Sequence, residues 1–127
     1  MITITKQFKF DAAHKLPYYN GLCHNVHGHT YHVDVTVTGN LITDESSPKR
    51  GMIIDFKDLK SIVWDKVLKK YDHSWLNDYF SNPTAEIMVE HIGVIVSTHL
   101  PVGVKLVSVK LWEGDESYAE YTPNKGV

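Results

Sequence analysis

The chain has 127 residues, 43% of them apolar and 22% charged, with a net charge of −2 and an isoelectric point near 6.4. That is enough for one domain spanning residues 1–127 with its own core, and the composition is that of a globular protein, not a disordered tract. No basic excess and no interleaving of aromatics with Lys and Arg points to nucleic acid, no apolar run approaches a membrane span, and the alternating start Met1-Ile2-Thr3-Ile4-Thr5-Lys6 is unlike a signal peptide.

Residues 2–13 alternate as a strand. Ile2, Ile4, Phe8, Phe10, Ala12 and then His14 share one parity, with Lys6 the exception, while Thr3, Thr5, Gln7, Lys9 and Asp11 share the other. Pro17, Asn20 and Gly21 break the strand into a loop that carries Cys23. A second strand is predicted from about His27 to Gly39. The pleat puts His27, His29, Tyr31, Val33, Val35 and Val37 on the core face and sends His32 to solvent. After a polar connection over residues 40–50, Asp55 is a predicted N-cap for a helix from Phe56 to Lys70, with Phe56, Leu59, Val63 and Val67 at helical spacing.

Asn82-Pro83-Thr84-Ala85-Glu86 is a helix-start signal, read as a capping Asn with Pro at the first helical position. The helix it opens is expected to run to about His99 with Ile87, Met88, Ile92, Ile95 and Val96 buried. A third strand follows from Val104 to Trp112, with Val107, Val109 and Leu111 on the parity of Glu113, and Ser117 to Tyr121 makes the last. The order is strand, strand, helix, helix, strand, strand, with no internal repeat or linker.

The chemistry gathers in Cys23-His24-Asn25-Val26-His27-Gly28-His29 and in His14. Three neutral imidazoles on the apolar parity of two strands, with no fourth protein ligand, leave a coordination position open, the zinc arrangement of catalysis. The alternative is three hydrogen-bonded core histidines. Gly28 fits an ion held between its neighbours, since a side chain there would crowd it. Cys23 is open to three readings: a buried structural thiol, a fourth ligand closing the site, or a base or nucleophile whose pKa a nearby cation lowers. A single cysteine also excludes an internal disulfide and suits a reducing cytosol. Asp72-His73 pairs a carboxylate with an imidazole, as proton transfer requires, and has to act from a loop because adjacent residues on a regular element do not face each other. Glu113 ends an apolar strand on its buried parity, so either a ligand completes it or it is a surface glutamate at the strand's end.

Together these residues resemble the 6-pyruvoyl-tetrahydropterin synthase / 6-carboxy-tetrahydropterin synthase (QueD) family. The resemblance rests on Phe8 through His14, Cys23 through Tyr31, Ile54-Asp55-Phe56, Asp72-His73 with Leu76-Asn77-Asp78, Pro83 through Glu86, and Glu113. His24, Asn25 and Val26, the residues between the cysteine and the His-Gly-His pair, give the spacing of the bacterial carboxy-tetrahydropterin synthases. Two positions depart from the family pattern: Gly114 stands where relatives often carry Thr, and Tyr71 where Leu often precedes the Asp-His pair.

The resemblance implies that His14, His27 and His29 bind zinc, that Cys23 accepts a proton, that His73 with Asp72 forms a proton relay, and that Glu113 anchors a pterin. It implies the T-fold, an α+β antiparallel four-stranded sheet with two helices between the strand pairs. Three subunits close such a barrel, often stacked as a hexamer, with active sites at subunit interfaces. The implied reaction converts 7,8-dihydroneopterin triphosphate to 6-carboxy-5,6,7,8-tetrahydropterin, acetaldehyde and triphosphate, in queuosine-type biosynthesis. A pyruvoyl-forming enzyme and a non-catalytic zinc- or pterin-binding protein are the alternatives.

Overall fold

A computed structural model describes residues 1–21 and 24–123. Strand β1 (Thr3–His14) pairs antiparallel with β2 (His27–Gly39), which pairs with β4 (Val104–Glu113), and that in turn with β5 (Ser117–Tyr121). A two-residue strand β3 (Ser74–Trp75) adds to the far side of β1 in parallel, giving the order β3-β1-β2-β4-β5. The four long strands are the antiparallel sheet expected from the alternation, and β3 makes it mixed. Because β3 reaches only Ala12 and Ala13, the rest of β1 has one edge with no strand beside it among the described residues. β5 is the opposite edge.

Two helices cover one face. Helix α1 (Phe56–Val63) opens on Asp55, whose carboxylate accepts from the Lys57 amide as predicted, and continues through a wider turn over Trp64–Leu68, marked by the Lys69 amide donating to the Trp64 carbonyl at 2.9 Å. Helix α2 (Ala85–His99) starts two residues later than the sequence suggests. Thr84 is its cap, accepting from the Ile87 amide at 3.2 Å, and Pro83 lies before the helix. Its buried stripe is Met88, Val89, Ile92, Gly93 and Val96, whereas Ile87 is exposed. The stripe is rotated because Gly93 must sit under the Tyr121 ring, where a Cβ would come within 2.1 Å of ring carbon.

The core lies between these helices and the sheet: Phe8, Phe10, Tyr31, Val33, Val35 and Val37 against Leu59, Val63, Val67, Leu68, Met88, Ile92 and Val96. Each such side chain contributes about 1.5–3 kcal/mol by leaving water. The strict alternation predicted for β4 breaks at a bulge. Val37 pairs with Leu106 but Thr36 with Ser108, so Val107 is the extra residue and Leu106 takes the core position.

Beyond that bulge the strand ends are closely packed. A Cβ on Gly39 would sit 2.5 Å from the Gly103 carbonyl oxygen and 3.2 Å from Ile53 Cγ2. Gly39→Ala is therefore expected to destabilise the fold by about 1–3 kcal/mol, as overpacking does. The urea midpoint should drop with no change in slope. An unchanged midpoint would mean that Gly39 and Gly103 are not in contact in solution.

The two departures from the family pattern have local reasons. Gly114 turns β4 into β5 at φ 74°, a conformation Thr adopts only under strain. Tyr71 is fully buried and packs its ring near Phe10, Tyr79 and Phe80.

Candidate metal centre

The β1–β2 register pairs His14 with His27 and Ala12 with His29, so the pleat carries all three imidazoles to the helix-covered face. Their ring centroids are 4.6–5.1 Å apart in edge-on arrangement. One donor atom from each of them, and one from Glu113, lie within 4.8 Å of one another. The structure thus brings together the three predicted ligands and the predicted carboxylate, His14 fully buried and the others half-buried.

The tautomers argue for a cation. His14 Nδ1 is 3.0 Å from the Pro83 carbonyl oxygen, and His27 Nδ1 is 2.8 Å from that of Asn25. A carbonyl only accepts, so each Nδ1 carries the ring's proton and each Nε2 presents a bare lone pair. Those two Nε2 atoms face each other at 3.0 Å. With neither ring protonated there, the contact is repulsive unless a cation lies between them. Burial lowers the pKa of His14, against the opposing pull of the Pro83 carbonyl and Glu113, and burial likewise lowers that of His29. His29 Nε2 lies 3.0 Å from Glu113 Oε1 without the alignment of a hydrogen bond, and is a buried nitrogen with no such partner among the described residues. Three unshared nitrogens beside a carboxylate, two of them oriented by backbone carbonyls, are a donor set that fits zinc.

Gly28 does not serve the ion as the sequence suggested. Alternation places it on the opposite face of the sheet, where among the described residues an added Cβ would meet only the Ala12 carbonyl oxygen at 3.7 Å. Cys23 lies outside the described residues.

Asp72 and His73 are brought together, but not with the three histidines. His73 Nδ1 is 3.1 Å from Asp72 Oδ1, and the pair sits in a turn, as adjacency required. Asp72 Oδ1 accepts from the Asp11 amide at 3.1 Å, Thr30 donates to Asp11 at 2.5 Å, and the His73 amide donates to the Asp11 carbonyl at 2.6 Å. Asp11 and Thr30 have the outer parity of the sheet, so this cluster occupies the other face. His73 is held at φ 58°, a conformation that costs a non-glycine residue about 1–3 kcal/mol, and its ring is largely exposed.

Sequence reasoning passed over three supporting groups. Asn77 holds Lys15 through two 3.0 Å hydrogen bonds, one to its amide and one to its carbonyl, fixing the chain immediately after His14. Pro83 and Tyr31 contact His14 itself. All three lie in runs that carry the resemblance, but nothing in those runs assigns them to His14 or Lys15, and a backbone carbonyl leaves no side-chain signal of its own. Beside Glu113 opens a cleft of about 750 Å³ between α2 and β5, lined in part by Leu16, Tyr19, Glu86 and Glu120.

Comparison with known proteins gives consistent results. A family profile described as 6-pyruvoyl tetrahydropterin synthase matches residues 3–124. The chain is 34% identical to the 6-carboxy-5,6,7,8-tetrahydropterin synthase of Haemophilus influenzae, over 95% of this chain and 99% of that protein. It is 38% identical to the dihydroneopterin monophosphate aldolase of Pyrococcus furiosus, over 84% of this chain and 85% of that one. The solved 6-pyruvoyl tetrahydropterin synthase of Caenorhabditis elegans superposes with a TM-score of 0.80 at 23% identity, covering 97% of this chain and 96% of its own, so the two share the expected T-fold.

Proposed function

We propose that this chain, which belongs to the 6-pyruvoyl tetrahydropterin synthase family, is a zinc-dependent lyase of the 6-carboxy-5,6,7,8-tetrahydropterin synthase kind. It would take 7,8-dihydroneopterin triphosphate and one water to 6-carboxy-5,6,7,8-tetrahydropterin, acetaldehyde and triphosphate, supplying queuosine-type synthesis in the cytoplasm. The observation that carries this reading is the convergence of His14, His27 and His29 beside Glu113, with the Nε2 atoms of His14 and His27 bare and opposed. Its relatives named 6-carboxy-5,6,7,8-tetrahydropterin synthase include those of Haemophilus influenzae and Bacillus subtilis, at 34% and 33% identity.

In this reading the three imidazoles hold zinc, whose Lewis acidity lowers the pKa of hydroxyl groups presented to it. With its Nε2 so committed, His29 no longer competes for Glu113, and both carboxylate oxygens can accept from the amino and ring N–H edge of a pterin lying in the adjoining cleft. Cys23 takes a proton from the substrate side chain, and His73, oriented by Asp72, relays it. The sheet separates His73 from the three histidines of its own chain, so the relay comes from a neighbouring copy. That need agrees with the uncovered edge of β1 and with the exposed apolar Ile2, Leu41, Met52 and Phe56 beside it, surfaces suited to a homo-oligomer, a trimer or a stacked hexamer. Among the described residues the cleft lining holds Glu86, Glu113 and Glu120 but no Lys or Arg, and cations for the triphosphate would come from the same interface. No nucleic-acid or membrane partner is proposed, and among the described residues no helix is long and apolar enough to cross a membrane.

A second reading is favoured by the identity to the Pyrococcus furiosus aldolase: cleavage of dihydroneopterin monophosphate. Zinc-loaded protein incubated separately with each pterin phosphate distinguishes them. Acetaldehyde appearing in step with triphosphate is the expected result. Triphosphate alone would move the chain to the pyruvoyl reaction, turnover of the monophosphate only would favour the aldolase, and no turnover would leave a binding protein.

A further inference from the structure

Tyr31 touches the buried metal-site histidine from within the core. Its hydroxyl oxygen lies 3.2 Å from His14 Nδ1, alongside the Pro83 carbonyl at 3.0 Å. The Nδ1 proton therefore has two acceptors, one carried by the segment before α2 and one by the sheet. Tyr31 itself is fully buried, and its ring is fixed from both sides: stacked on Phe10 at 5.0 Å and 11°, and edge-on to His29 at 5.7 Å. A phenol held this way has little freedom left to lose, so its oxygen constrains the imidazole rather than following it.

We propose that Tyr31 is a positioning residue of the metal centre, its hydroxyl sharing the His14 Nδ1 proton with Pro83 so that Nε2 is held bare and aimed at the ion. The proposal rests on the zinc reading above. It also explains an otherwise wasteful burial, since a phenol sealed in a core needs a partner for its oxygen.

Tyr31→Phe tests the hydroxyl, with Phe10→Leu as the packing control that keeps it. Zinc dissociation constants by chelator competition and the visible spectrum of the cobalt(II)-loaded protein are read for all three proteins. Loss of an outer partner of a metal-bound histidine typically weakens affinity about 10–100-fold. That loss, with shifted cobalt bands, is expected for Tyr31→Phe and not for Phe10→Leu. Wild-type affinity and spectrum in Tyr31→Phe would overturn the proposal, as would an equal loss in Phe10→Leu. Absence of zinc binding in the parent protein would instead sink the reading on which it rests. Should Tyr31→Phe not fold, Tyr31→His, which keeps a polar atom there, and Tyr31→Leu, which does not, give the same comparison: the loss of affinity is expected in Tyr31→Leu and not in Tyr31→His, and equal affinity in the two would overturn the proposal.

Discussion

His27→Ala is expected to lose stoichiometric zinc and to lower turnover by well over the roughly hundredfold that removing even an outer-shell partner can reach. The fold should survive. His27 stands at the first position of β2, half-exposed, and its recorded contacts are the His14 and His29 rings and the Asn25 carbonyl, none of them in the hydrophobic core. Removing it relieves the opposed lone pairs at 3.0 Å rather than opening a cavity. Metal content by elemental analysis, turnover with dihydroneopterin triphosphate, and mass by light scattering would be measured together. A protein that emerges unfolded or monomeric would show that the ion holds the structure up instead of serving the reaction.

The second large effect concerns Asp72-His73. His73→Ala should be as inactive as His27→Ala while keeping its zinc, because the two side chains belong to opposite faces of one sheet. Unfolding and reassembling the two inactive proteins together should restore activity. If each centre draws its histidine cluster from one copy and its relay from the next, random mixing leaves about a quarter of the centres whole, as expected for a ring of heterologous contacts. No recovery from mixed oligomers would return the relay to the same chain, and would require a large rearrangement of the turn that now binds Asp11.

Where the sequence was legible, period-two alternation made it so. Parity alone placed His14, His27 and His29 on one face, and the register then supplied the convergence. It also gave the ends of β2 and β5, while N-cap chemistry gave Asp55. What alternation cannot report is a residue that breaks count or an acceptor with no side chain. Val107 is misplaced because a bulge inserts it; Ile87 gives way to Val89 because Gly93 has to meet Tyr121. The Pro83 carbonyl and the Asp72 link to Asp11 are contacts across 69 and 61 residues that only the folded chain creates. Gly28 shows the converse error, a glycine credited to the ion when the pleat turns it away.

The bare edge of β1 has a consequence for how such a protein would behave at low abundance. If the proposed centre is completed only when chains lie edge to edge, it exists in proportion to the assembled fraction, and specific activity would be a function of chain concentration. Dilution below the dissociation constant of the ring would silence catalysis while every domain remained folded and every histidine cluster kept its ion. Inactivation and unfolding would then be separate events, with separate midpoints.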